Sequence, residues 1–301
     1  MIATSPILVA IAAITSGVGS APYVRSHVSA TDPNSSCLWW AAGSVVYNQS
    51  DAGNPVNGGT EFTAVTRSWQ SWQTIQNGCG NLTLSEGPHL SAPAGRTVGY
   101  TQGSSDNHNV VMFRRRLCRN VAPAGDPCFS NFTCNNVYDC WGNPDTTIGL
   151  TTTTYRVSNG EILDADIEFN AALFHFTTAD SPTCSGTNYS NCVATDVQNT
   201  ATHEFGHSLG LDHTMYCGSV DGGTMCSVMR DSSPNGEISK RTIDPWSASF
   251  ICDVYPRGLP SQDCAQVATK SGCAAVPGSM AWPLAVLCIF LLRRQTVRRR
   301  S

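Results

Sequence analysis

The stretch "HEFGHSLGLDH", from His203 to His213, combines three histidines and a glutamate at spacings that can do metal chemistry. An α-helix advances 1.5 Å and 100° per residue, so His203 and His207 share one face, about 6 Å apart along the axis. Gly210 can leave the helix at positive φ and turn the chain back, which brings His213 toward the same ion. Three neutral imidazoles with a fourth position open suit catalytic zinc, because structural zinc sites are usually closed by four protein ligands. Zinc can lower the pKa of a water in that position to roughly 7. Glu204 is placed to take the water's proton and pass it to a leaving amine. Such a set of roles is that of peptide hydrolysis.

The histidines need a helix, and the pattern supplies one over Asp196–Gly210. Asp196 is a good N-cap, and Val197, Ala201, Phe205 and Leu209 recur every four residues. Upstream, Ser44–Gln49, Thr97–Thr101, Asn109–Phe113 and Ala172–Thr178 read as strands. Thr60–Ile75 reads as a helix with Thr60 as its N-cap and an inward stripe of Phe62, Val65, Trp69, Trp72 and Ile75. Leu150–Phe169 reads as a hairpin turning at Asn159-Gly160. Strands with interspersed helices predict an α+β (mixed α/β) domain. Four cysteines from Cys118 to Cys140 mark a stapled surface excursion, and Cys184 can bridge Cys192.

All five fixed positions of HExxHxxGxxH are met by His203, Glu204, His207, Gly210 and His213. In this the chain resembles the metzincin zinc proteases. Thr214 after the third histidine, together with Leu209-Gly210-Leu211, looks most like the matrixin branch. "GEILDADIEFN" (160–170) resembles the matrixin "ADI" strand, and "RTIDPWSASFICDVYP" (241–256) resembles the closing helix. The similarity covers about residues 37–256 and is strong from Gly160 onward. It implies a twisted mixed sheet with an antiparallel edge strand, an active-site helix and a closing C-terminal helix. It also implies one catalytic Zn²⁺ on His203, His207 and His213, with Glu204 as the base. A methionine turn beneath the metal is assigned to Met229, in preference to Met225, and Cys217 with Cys226 would staple the loop entering it. An extended substrate would pair with the sheet edge, assigned to Leu173, Phe174, His175 and Phe176. The pocket beyond the scissile bond would lie between the His203 helix and the chain after Met229, at Ser232, Ser233 and Pro234.

Departures from the matrixin pattern carry their own expectations. His175 is the only histidine in the short stretch where a structural zinc would bind, so no second zinc is expected. His27, His89 and His108 are read as isolated and exposed. Trp246 and Ser247 stand where matrixins carry paired aspartates, and no cysteine-switch segment precedes the domain. Cys37 is read as a disulfide partner.

Composition sets the context. The chain has 301 residues, 41% of them hydrophobic and 13% charged, which suits a buried core. Fourteen cysteines favour an oxidising compartment. Residues 1–20, with the apolar run from Pro6, read as a secretory signal; 21–256 as the protease domain; 257–272 as a spacer. Residues 273–301 hold Cys273, 19 uncharged residues and an arginine cluster, and resemble the C-terminal sorting tails of myxobacterial surface proteins. Without the five tail arginines the body carries 13 basic against 22 acidic residues, a charge of −9, which argues against nucleic-acid binding and is compatible with Ca²⁺ sites. The expected protein is a secreted or surface-tethered monomer acting on extracellular proteins or peptides, touching membrane only through its C-terminal segment. The alternative is a surface adhesion module whose zinc staples the fold, a role that has no need of Glu204.

Overall fold

Short β-branched runs separated by Gly, Pro and Asn form the strands. In chain order the computed structural model, which describes residues 7–11, 22–41 and 43–264, has β1 (Ile7–Ile11), β2 (Val24–Arg25), β3 (Ser44–Gln49), α1 (Thr60–Cys79), β4 (Thr83–Glu86) and β5 (Asn109–Phe113). Three short helices follow, α2 (Cys118–Val121), α3 (Pro127–Asn131) and α4 (Cys134–Tyr138). Next come β6 (Gly149–Arg156), β7 (Ile162–Phe169), β8 (Phe176–Thr177), β9 (Thr195–Asp196) and α5 (Val197–Ser208). The described chain closes with β10 (Leu211–Asp212), β11 (Cys217–Val220), β12 (Gly223–Cys226) and α6 (Pro245–Val254).

The main sheet runs β1-β6-β7-β5-β3-β4. From β7 to β4 the neighbours are parallel, whereas β6 is antiparallel to β7 and β1 is antiparallel to β6. This is a mixed sheet in an α+β body. The β6–β7 hairpin turns at Gly160, which takes φ +76° where an added Cβ would strike the Cys37 carbonyl.

β7 shows how one strand serves two layers. Ala165, Ile167 and Phe169 point into the core, and with Tyr47, Trp72, Phe205 and Leu209 they are essentially inaccessible to water. Phe205 on α5 meets Tyr47 edge-to-face at 4.7 Å, and Trp72 on α1 donates to the Thr202 carbonyl at 3.0 Å. Asp164, Asp166 and Glu168 point the other way and are buried beneath the 97–99 segment and the cysteine excursion. Arg114, also fully buried, answers Glu168 at 2.6 Å and Asp139 at 2.9 Å. Asp166 accepts from the Gly99 and Val110 amides, at 2.7 and 2.9 Å. Burial pushes Asp164 up to about 6 and Asp166 well above the ordinary carboxylate range.

Two elements differ from expectation. Residues 97–101 form no strand: Gly99 sits at φ +108° and gives its N–H to Asp166, which bends the chain out of extended geometry. Thr60 is the first helical residue of α1, not its cap; Gly59, at φ +91°, holds the cap position, and the Thr60 hydroxyl donates back to Asn57. In the α1 stripe Val65 and Trp72 are buried while Phe62, Trp69 and Ile75 are half-buried.

Six disulfides lie among the described residues: Cys37–Cys264, Cys79–Cys252, Cys118–Cys140, Cys128–Cys134, Cys184–Cys192 and Cys217–Cys226. They pair all the cysteines from Cys37 to Cys264 and point to an oxidising environment. Among the described residues no helix is long and apolar enough to cross a membrane. The 273–301 segment, the spacer after Cys264 and the rest of the 1–20 segment outside β1 lie outside the described residues.

Candidate metal centre and cleft

α5 starts where its sequence says it should. The Asp196 carboxylate accepts from the Asn199 amide at 2.7 Å, and Arg241 grips the same carboxylate through Nε at 2.8 Å and Nη2 at 2.5 Å. The helix ends at Ser208, and Gly210 follows at φ +100° with the Leu38 carbonyl only 2.5 Å from any added Cβ. The last carbonyls of the helix are answered from elsewhere. Trp40 Nε1 donates to Ser208 O, the Tyr255 hydroxyl to Leu209 O, and the Ser26 amide to Gly210 O. After this stop, β10 carries the chain back along β2, and His213 returns to the helix.

The three rings converge. Nε2 of His203 lies 3.2 Å from both His207 Nε2 and His213 Nε2, and the last two are 3.1 Å apart. His203 Nδ1 donates to the Val228 carbonyl at 2.7 Å, and His207 Nδ1 to the Leu211 carbonyl at 2.8 Å. A carbonyl only accepts, so Nδ1 carries the hydrogen and Nε2 keeps its lone pair. Burial, followed by the charge of Lys240, pushes His203 well below the usual histidine range and His213 to about 4. Burial also lowers His207. Three rings held neutral by burial thus turn their Nε2 atoms on one point, as a group that could hold a metal ion.

Glu204 is buried beside them. Thr151 Oγ1 donates to Glu204 Oε2 at 2.7 Å, and burial raises the carboxyl above the ordinary glutamate range. Gly149 lies against the same carboxyl: an added Cβ would stand 2.6 Å from Oε1 and 3.1 Å from Cδ.

Met229 is completely buried under α5, and Met225 is half-exposed in the β11–β12 hairpin. Gly206 makes room for the thioether, since a Cβ there would come within 2.3 Å of Met229 Sδ. The Met229 carbonyl accepts from the Thr214 amide at 3.1 Å. Behind this turn, buried Asp244 caps α6 by accepting from the Trp246 and Ser247 amides. Its other oxygen accepts from the Val228 amide at 2.8 Å. Asp244 therefore holds Val228, the residue whose carbonyl orients His203.

A cleft of about 860 Å³ opens over the rings, lined by Gly149–Thr151, Thr200, His203, Glu204, His207, His213, Ser232, Ser233 and Lys240, among others. No family model matches this chain, and no curated protein matches it.

The sequence placed the cleft's edge strand wrongly. Leu173 and Phe174 lie in a turn, His175 is exposed and stacked on Tyr189 at 3.9 Å, and Phe176 is buried in the core. Phe176 begins the two-residue β8, which pairs in parallel with β9 and is no part of the main sheet. The strand that borders the cleft is β6. Its threonine run, with no apolar alternation, gave no hint of that position, and only the pairing with β7 reveals it. His27 and His108 are half-buried, not exposed, and only His89 meets the expectation. His27 sits 3.9 Å from Cys37 Sγ, but both sulfurs of that His/Cys group are tied in the Cys37–Cys264 bridge.

Proposed function

We propose that the protein is a zinc-dependent endopeptidase of matrixin-like metzincin type, acting outside the cytoplasm on protein or peptide substrates. The observation that carries this reading is the convergence of three Nε2 atoms 3.1–3.2 Å apart beside a buried carboxyl group. The donor set fits zinc. Four tetrahedral ligands at 2.0–2.1 Å stand roughly 3.3 Å from one another, close to the spacing of these nitrogens. Bound there, zinc would polarise the scissile carbonyl and make a water molecule more acidic.

The protein's own residues supply the rest. Thr151 holds Glu204 by Oε2, which leaves Oε1 to accept the water's proton and release it to the departing amine. Gly149 gives that carboxyl its space. The direction of the peptide is suggested by β1, which lies on β6 with Ile7 opposite Arg156 and Ile11 opposite Thr152, heading toward Gly149 and Glu204. Once a leader over residues 1–20 is removed, a substrate can take the same antiparallel place, held by main-chain hydrogen bonds. A structural metal site in an adhesion module gives no reason for a carboxyl group buried beside the ligands.

Glu204→Ala is the test. It should retain stoichiometric zinc by atomic absorption and lose more than ~10²-fold in chelator-sensitive casein cleavage. Undiminished cleavage by this variant removes Glu204 from its role.

A further inference from the structure

Lys240 is a buried lysine in the wall of the cleft. It is 5% exposed, and among the described residues it makes no ion pair. Its ammonium donates to the Arg230 carbonyl at 2.6 Å, one hydrogen bond for a group with three donors. Its backbone is held rigidly: the Lys240 amide donates to Asn199 Oδ1 at 2.8 Å, and Asn199 Nδ2 reaches Ser233 Oγ at 3.0 Å. Asn199 thereby joins the first turn of α5 to the segment after Met229, and Lys240 lines the recess between them with Thr200, Ser232 and Ser233. Glu204, Glu237 and Asp231 are near enough to attract the ammonium, but Arg230 opposes them, and burial dominates, holding Lys240 down to about 8. A buried charge without an ion-pair partner is costly, so a cleft built this way is stabilised by a ligand that brings a carboxylate to it.

The orientation of β1 on β6 says which part of a substrate meets Lys240. A chain paired antiparallel to β6 runs from its Arg156 end toward Gly149 and Glu204, so the residues after the cut continue past Glu204 into the cleft. Resting on the peptidase reading, we infer that Lys240 selects substrates with an aspartate or glutamate immediately after the scissile bond. The side-chain carboxylate would enter the recess and take the free ammonium donors.

The experiment compares the zinc-loaded protein, freed of residues 1–20, and its variants on a peptide library randomised on both sides of the cut, read by mass spectrometry. The rates of paired peptides differing only in Glu against Gln after the cut are then measured. Wild type should favour Glu over Gln by at least ~10-fold in kcat/KM, mostly through KM, the range expected when a buried ionic group would otherwise stay unpaired. Lys240→Arg should keep that ratio above one, Lys240→Met should bring it to about one, and Lys240→Glu should turn the preference toward Lys or Arg. The ratio is internal to each variant, so it does not depend on overall activity. If Lys240→Met or Lys240→Glu fails to fold, the wild-type and Lys240→Arg ratios still decide. Cleavage without acidic preference, or an unchanged ratio in Lys240→Met, overturns this inference and leaves the peptidase reading standing. Absence of any zinc-dependent cleavage overturns both.

Discussion

Gly149→Ala adds a single methyl group and isolates the positioning of Glu204. Gly149 does not adopt positive φ, so alanine fits its backbone, and the conflict is with the carboxyl group alone. The new Cβ would stand 2.6 Å from Oε1, so that atom must retreat by about 0.8 Å to reach the 3.4 Å of ordinary contact. The same movement strains the 2.7 Å bond from Thr151, a hydrogen bond to a charged group of the kind that contributes about 1.5–3 kcal/mol. Misplacing a reacting group by about 1 Å can cost ~10²-fold in rate. The expected result is a 30- to 100-fold fall in kcat, on the order of 2–3 kcal/mol in barrier, with KM and zinc content nearly constant. Thr151→Val serves as the companion, because it removes the hydrogen bond without adding volume and should cost less. Assays on a fluorogenic peptide, with zinc measured in the same samples, give both readouts. A Gly149→Ala enzyme within threefold of wild type would show that Glu204 has room to spare, and the steric argument would fail.

Other perturbations reach the layers behind the site. Asp164→Asn should stabilise the protein at pH 7. The folded-state pKa of Asp164 is raised to about 6 from 3.8, so the native state binds more protons and stability falls as pH rises between about 4 and 6. Removing that ionisation should recover up to about 3 kcal/mol at neutral pH and flatten the slope in that window, as read by denaturant titration. Asp244→Ala should lower stability by about 2 kcal/mol through the lost α6 cap and the bared Val228 amide. It should also weaken zinc affinity, since the Val228 carbonyl that orients His203 loses its support. Competition with a chelator measures that, and unchanged affinity would place Asp244 outside the metal centre.

The sequence made the histidine cluster legible because its parts are close in the chain. His203, Glu204 and His207 need only helical period, and Gly210 needs only a positive φ after the helix end. The Asp196 cap, the Gly160 turn and the Cys184–Cys192 and Cys217–Cys226 bridges are local in the same sense. What was missed depends on distant pairing. Leu173–Phe176 read as a short strand and took the edge role from the family resemblance, yet Phe176 fills the core. The strand beside the cleft is a run of threonines whose position follows from β7. Gly149, Thr151 and Lys240 lie 36 to 55 residues from Glu204 in sequence and only tertiary packing brings them to it. The Cys79–Cys252 bridge was out of reach for the same reason, joining α1 to α6 across 173 residues.

The bridge between Cys37 and Cys264 spans 227 residues and encloses nearly the whole described body. Any single backbone cut inside that ring yields two fragments that remain covalently joined. If the protein is the proposed peptidase, self-nicking would leave its fragments together on a gel run without reductant, and a preparation of apparently full size could hold many clipped molecules. Only after thiol treatment would the pieces separate and the damage be counted.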